Sequence, residues 1–474
     1  MDKVTEIVRE ISDFVWGVPL IVLILFVGVL LTIGLKGIQI TKLGKALKYS
    51  ISNEEGGAGE VSSFGALCIA LSATIGTGSI IGVATAIAIG GPGALFWMVV
   101  AAFLGMATKY AEGYLAIRYR KIRKDGTING GPYAYIEYGM GSKWKWLAKT
   151  FAVLGMLAGI MGMGTLTQIT GITDSFDHVF LTESSIVFNI LGKDVSLLSM
   201  IVGAVITIAA ALVLLGGIDR IEKVCVVIVP FMAIAYVVIC ILVIGVNIVD
   251  VPKALLEIVK CAFDIKAISG GFTGTLLVVI QQGISKGIFS NESGLGSVPI
   301  ASSTAKTKDP VRQGLSTMTS TFYIVTICIM TGLAIVMAGT WNMEGVEGVD
   351  IATLAFENGL PFLPKIIPSC IIMVAITFFA FSSIVGWTVY GIRCLDYLTN
   401  NSKKAQTIYK WLWILAVFIG PYLSISIIWD ASNLFNGLMA IPNLIALIFL
   451  SRRVMKETNQ YFKEGIESLN LDNN

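Results

Sequence analysis

Long apolar runs separated by short polar connections dominate the chain. At 1.5 Å of helix rise per residue, about 20 such residues cross the ~30 Å hydrocarbon core of a bilayer. The pattern predicts eleven runs: approximately 14–36, 64–89, 92–118, 147–173, 194–217, 222–248, an interrupted element within 252–303, then 314–340, 364–395, 407–429 and 432–451. Two runs carry residues that do not favour an unbroken helix. Leu71-Ser72-Ala73-Thr74-Ile75-Gly76-Thr77-Gly78-Ser79-Ile80-Ile81-Gly82 holds three glycines, two threonines and two serines. The later run passes from a short, partly apolar segment, Pro252 to Lys266, through Ser269-Gly270-Gly271-Phe272-Thr273-Gly274 to an apolar stretch ending at Phe289-Ser290-Asn291-Glu292. In lipid each backbone N–H and C=O needs an internal partner, so a helix broken at membrane depth lines a protein-walled cavity. The break exposes amide donors on one side and carbonyl acceptors on the other, which suit a carboxylate and a small cation.

Setting aside the first run (14–36) leaves two groups of five, 64–248 and 252–451, each opening with an interrupted element. An odd number of spans per group inserts the second group upside down relative to the first, the arrangement of inverted-repeat transporters. The bland account of the glycines is close helix packing through small residues, which suffices for Ser79–Gly82 and Gly90-Gly91.

Composition agrees with this reading: of 474 residues 55% are hydrophobic and 14% charged, far from a soluble average. The expected fold is an all-α polytopic membrane protein, one transmembrane domain with a tail over 452–474. The net charge of +3 matters less than where the basic residues fall. Lys36–Lys48, Arg118–Lys124 with Lys143, Lys145 and Lys149, Lys306–Arg312, Lys403–Lys410 and Arg452–Lys456 share one side of an eleven-span arrangement. Asp174, Asp177, Glu183, Glu344, Glu347, Asp350 and Glu357 fall on the other. The positive-inside rule then places the N-terminus outside and the C-terminus in the cytoplasm of a plasma-membrane protein. The first run lacks a basic leader and a small-residue cleavage site, so it reads as a retained span. Seven cysteines without a CxxC pair read as small apolar residues, not as a disulfide framework or metal cluster.

Polar residues inside apolar runs are costly and each needs an account. Gln168 faces a cavity, where its amide could meet a zwitterion, or hydrogen-bonds a neighbouring helix. Ser382 and Ser383 are adjacent hydroxyls with Trp387 one turn on; they either bond back to their own helix or offer hard oxygen ligands to a cation such as sodium. Lys109 and Glu112 read first as a helix-surface ion pair and second as part of an inner gate, and Lys286 and Glu292 share that ambiguity. His178, the sole histidine, reads as a solvated loop residue. Catalysis has no foothold: there is no phosphate-binding glycine loop, no GxSxG and no HExxH. A channel filter or charge ring is also not visible.

Several stretches resemble the alanine or glycine:cation symporter family, the sodium:alanine symporters. They are Ala73–Ser79, Gly90-Gly91-Pro92-Gly93-Ala94-Leu95-Phe96-Trp97-Met98, Gly105-Met106-Ala107-Thr108-Lys109-Tyr110-Ala111-Glu112, Gly130-Gly131-Pro132 and Gly287-Ile288-Phe289-Ser290-Asn291-Glu292-Ser293-Gly294-Leu295-Gly296-Ser297. The resemblance implies a LeuT-like fold, a 5+5 inverted repeat with one extra N-terminal helix. It also implies sodium-coupled uptake of a small neutral amino acid, alanine or glycine, by a chain that is not an enzyme. The alternative is coupling to another cation, protons included, for another small zwitterion; a channel is the more distant one. By position, the resemblance places the substrate at Thr74, Gly76, Thr77, Gly78 and Ser79, walled by Gln168, Phe272, Ser383 and Trp387. It places sodium at Ser72, Ile75, Phe379, Ser382 and Ser383. The bilayer and the substrate are the expected partners of a monomer, with no nucleic acid. The family commonly has Asn where Ser79 stands, Trp where Val99 stands, and Arg-Gly-x-x-Arg-Gly where this chain has Gln282-Gly283-Ile284-Ser285-Lys286-Gly287. The last change removes one positive charge and the guanidinium geometry of the other.

Overall fold

A computed structural model describes residues 2–54, 57–182, 185–190, 192–263, 276–423 and 425–465. The elements that matter for function are α1 (Asp2–Val15), α2 (Val18–Gly34), α3 (Ser63–Thr74), α4 (Ile81–Gly90), α5 (Gly93–Arg118), α6 (Lys145–Met161), α7 (Leu166–Phe180), α8 (Leu197–Leu214), α9 (Gly217–Val246), α10 (Leu276–Asn291), α11 (Val298–Ser302), α12 (Pro310–Ala338), α13 (Ile366–Thr399), α14 (Lys403–Ile419) and α15 (Ile425–Glu464). Among the described residues strand is confined to two antiparallel hairpins between helices, Lys121–Ile122 with Ile128–Asn129 and Val187–Ile190 with Lys193–Ser196. Among the described residues eight helices are long and apolar enough to cross a membrane, and α3 and α4 are shorter apolar helices.

Apolar side chains on two sides of their helices mark where lipid belongs. Val205, Ile208 and Leu212 of α8, and Val227, Phe231, Ile234 and Val238 of α9, are exposed, while Cys225, Val229, Met232 and Tyr236 of α9 are buried against the bundle. A soluble protein would not leave such a surface uncovered. At the centre lies α5, whose residues from Gly105 to Arg118 are all buried and which packs against α10 and α12.

The first interruption is where the sequence places it. Ser62 caps α3, its hydroxyl accepting the Gly65 N–H at 2.9 Å, a cap of about 1 kcal/mol. The helix ends at Thr74; Ile75 leaves the helical conformation, Gly76 is extended, Thr77–Ser79 forms one 3-10 turn, and α4 starts at Ile81. The second expected interruption, Ser269–Gly274, lies outside the described residues. A further break, not expected from the sequence, stands at Glu292–Ser297, between α10 and α11. Its turn depends on Gly294 and Gly296, at φ +86° and +82°, which side-chain-bearing residues avoid. A third break is unanticipated: the run drawn as 147–173 divides into α6 and α7 at Gly162–Thr165. The last connection lies earlier than drawn, so α15 begins at Ile425 and includes Trp429 and Ser432.

The two broken pairs lie side by side and run in opposite directions. The half-helix α3 packs on α11, and α4 packs on α10. Their ends are tied by backbone: Glu60 N–H donates to the Thr304 carbonyl at 2.8 Å and Lys306 N–H to the Val61 carbonyl at 2.8 Å. Arg120 completes the clasp, its guanidinium donating to the carbonyls of Ser303 (2.6 Å), Ala305 (2.7 Å), Thr307 (2.6 Å) and Ala58 (2.7 Å). Burial pulls the Arg120 side chain down to about 10, so it stays charged at neutral pH.

Candidate functional site

The first break faces α13 and α7. Ser383 donates its hydroxyl to the carbonyls of Ser72 at 3.0 Å and Ala73 at 3.1 Å. Ser382 donates to the Phe379 carbonyl at 2.9 Å and the Ser72 carbonyl at 3.3 Å. The Ser72 and Ala73 carbonyls stand at the C-terminal end of α3, where helix carbonyls lack partners within the helix and carry partial negative charge. Hydroxyl and carbonyl oxygens gathered from two helices form a hard-ligand set of the type a small cation takes. Gly386 permits the approach, since a Cβ there would stand 2.3 Å from Ser72 Oγ and 2.7 Å from the Ala73 nitrogen. Of the other positions assigned to sodium, Ile75 is buried and its N–H closes α3 on the Leu71 carbonyl at 2.7 Å.

Gln168 joins two breaks. Its Oε1 accepts the Thr77 N–H at 3.0 Å, and its Nε2 donates to the Met163 carbonyl at 2.9 Å. The fully buried amide thus holds the first break against the unwound link between α6 and α7. Gly76 lies at the meeting point: a Cβ there would stand 2.5 Å from Ser383 Oγ and 2.8 Å from Gln168 Oε1. A Cβ on Gly78 would stand 3.0 Å from the Phe289 ring and 3.3 Å from Ser290 Cα. Ser79 Oγ lies 3.2 Å from Ser290 Oγ, so this position joins the two broken pairs. The Thr74 hydroxyl bonds back to the Ala70 carbonyl at 2.9 Å, away from this meeting point. Phe272 falls outside the described residues.

Trp387 faces the second break, its indole N–H donating to Glu292 Oε1 at 2.9 Å. Ser297 donates to the other carboxylate oxygen. Glu292 itself is at φ +55°, a left-handed conformation that costs a side-chain-bearing residue about 1–2 kcal/mol. Lys109 and Glu112 are not the helix-surface pair expected. Both are fully buried, and Lys109 Nζ has no hydrogen-bond partner among the described residues. Asn443 of α15 donates to Glu112 at 2.7 Å and to the Gly294 carbonyl at 2.9 Å, and accepts from Tyr135. Sequence reasoning missed Asn443 and the link between Glu292 and Trp387; an amide within an apolar run was the available signal for the first. Lys286 lies 4.8 Å from the Trp429 ring centroid, in cation–π contact; among the described residues it forms no ion pair with Glu292. His178 also departs from its reading: it stands in the last turn of α7, half-buried, with Nδ1 2.6 Å from Asp350 Oδ1.

Among the described residues this arrangement offers donors, acceptors and hydroxyls around broken helices, and no nucleophile activated by a neighbouring base. A model of the sodium:alanine symporter family matches residues 1–472. The chain belongs to the sodium:alanine symporter family. It is therefore a membrane transporter and not an enzyme. An uncharacterized transporter of Haemophilus influenzae is 44% identical over 462 residues, covering 97% of this chain and 96% of that one. The sodium/alanine symporter AgcS of Methanococcus maripaludis is 39% identical over 466 residues, 97% and 98% of the two chains. A probable sodium/glutamine symporter of Bacillus subtilis, GlnT, is 33% identical over 474 residues, 98% and 92%.

Proposed function

We propose that this chain carries a small neutral amino acid, alanine or glycine, into the cell together with sodium, by alternating access across the plasma membrane. The observation that carries the reading is Gly76, which leaves no room for a side chain between the Ser383 hydroxyl and the Gln168 amide. Close approach to backbone is what carboxylate recognition by a broken helix requires. In this reading sodium is cargo, held by the carbonyls of Ser72 and its neighbours and by Ser382 and Ser383, with their hydroxyls turned to present oxygen. The substrate carboxylate meets the amides at Gly76–Gly78, with Gln168 and Trp387 behind them. Sodium ties α3 to α13 and thereby sets those amides before the amino acid arrives.

The same reading keeps eleven spans, an outer N-terminus and a LeuT-like inverted repeat in a monomer. The antiparallel course of α3–α4 and α10–α11 supports the repeat. The deciding experiment is uptake of labelled alanine and glycine into proteoliposomes with and without an inward sodium gradient. Gradient-driven accumulation is expected; saturable ion current without amino-acid flux would replace this reading with a channel. The name of the 39% identical relative, a sodium/alanine symporter, favours alanine, whereas that of the 33% identical one points to glutamine, so glutamine belongs among the substrates offered.

A further inference from the structure

Contacts around the first break close into a ring. Gly78 lies against Phe289, and Phe289 packs on Trp429 of α15 at a 39° tilt with ring centroids 5.0 Å apart. One turn along α15 stands Ser432, whose Oγ would be 2.8 Å from a Cβ on Gly162. Gly162 precedes Met163, whose carbonyl holds Gln168, and Gln168 returns to the Thr77 N–H. The ring thus joins the first break, α10, α15 and the link between α6 and α7.

Buried polar groups on this ring, and Asn436 one turn further along α15, lack partners. Thr77 Oγ1, Ser432 Oγ and both amide atoms of Asn436 have none among the described residues, and all three residues are 0% exposed. Ser432 and Asn436 are four residues apart, on one face of α15. A carboxamide buried with both ends unmet forfeits the hydrogen bonds it would make in water, a cost a folded protein avoids unless a guest meets it.

We propose that Ser432 and Asn436 form a further wall of the amino-acid chamber, contacting the substrate from α15. A zwitterion whose carboxylate lies on the first break turns its ammonium and side chain away from those amides. Ser432 Oγ and Asn436 Oδ1 accept from the ammonium, and Asn436 Nδ2 donates to an oxygen on the side chain where there is one. The wall therefore favours small zwitterions and improves the fit of a hydroxyl-bearing one such as serine. This inference rests on the substrate site proposed above.

The test is equilibrium binding of labelled alanine to the purified full-length chain in saturating sodium, with serine as competitor. Wild type is compared with Asn436→Ala, Asn436→Asp and Ser432→Ala. Loss of a hydrogen bond to a charged group weakens binding by about tenfold or more, so Asn436→Ala is expected to raise the alanine Kd by that factor. It should also reduce the preference for serine over alanine. Asn436→Asp keeps the shape and an acceptor oxygen; it retains alanine binding but loses the donor and so the serine preference, and it keeps the test open if the alanine variant fails to fold. Unchanged alanine Kd and unchanged serine preference in both Asn436 variants overturn the wall. Wild-type protein that binds neither amino acid overturns the underlying site instead, so the two failures are distinguishable.

Discussion

At the scale of single residues, missing side chains decide what the site can hold. Gly76 and Gly78 are surrounded so closely that any substitution must displace a neighbour: Ser383 and Gln168 for the first, Phe289 for the second. Gly78→Leu is expected to abolish alanine binding while the protein still inserts and purifies as a monodisperse species; normal alanine uptake by that variant would remove the first break from the substrate site. Gly386 acts one helix away. A methyl there presses on Ser72 Oγ and the Ala73 nitrogen, so Gly386→Ala should push α13 from α3 and raise the sodium concentration needed for half-maximal uptake, read from uptake against sodium at fixed alanine. Trp387 tests a different kind of contact. Trp387→Phe keeps an aromatic ring but leaves Glu292 Oε1 without its 2.9 Å donor. A buried acceptor left unpaired costs about 1–3 kcal/mol, so thermal unfolding of the detergent-solubilised protein should begin at a measurably lower temperature. An unchanged transition would show that another donor replaces the indole.

At the scale of elements, the clasp between residues 57–61 and 303–307 closes the end of the bundle at which the basic loops gather. Four carbonyls converge on Arg120, a geometry that a planar fork of donors satisfies and a single ammonium does not. Arg120→Lys should therefore free this end, and the Glu60 and Lys306 amides, paired across it, should exchange with deuterium at least about tenfold faster. Protection equal to wild type would mean that the backbone pairing holds without the guanidinium. The elements themselves were unevenly legible. Apolar length alone revealed the long helices, because lipid imposes it. Gly76 and Gly78 revealed the first break, since glycines flanked by hydroxyls suit neither a strong helix nor a lipid-facing surface. Ser269–Gly274, the glycine-dense stretch read as the second break, lies outside the described residues, whereas the break at Glu292–Ser297, which unwinds through Gly294 and Gly296 at positive φ together with a glutamate at positive φ, was not anticipated. Gly162 and Gly164 signalled the break between α6 and α7 no less clearly than the first, but the surrounding run was long enough to read as one span. Burial of Lys109 and Glu112 was not legible. Spacing of three places them on one helix face without saying whether that face meets water, lipid or protein.

At the scale of the whole molecule, a transporter is judged by the work its cargo can do. One sodium ion crossing ~100 mV releases about 2.3 kcal/mol, and a tenfold concentration gradient adds about 1.4 kcal/mol. Together these permit several-hundred-fold accumulation of a neutral amino acid if one ion crosses per substrate. Voltage then becomes a sharp test of the coupling proposed for Ser72, Ser382 and Ser383. In proteoliposomes carrying a tenfold sodium gradient, removing the membrane potential should lower the limiting accumulation of alanine by about fiftyfold, the factor that 2.3 kcal/mol represents. Ser382→Ala combined with Ser383→Ala removes both hydroxyls from the carbonyls at the end of α3. If sodium binds there, this variant should need far more sodium to start uptake, with alanine still inhibiting at the site when sodium is saturating. Unaltered sodium dependence in the double variant would move the ion elsewhere in the bundle, and accumulation that ignores the potential in the wild type would exclude a net charge crossing with the substrate.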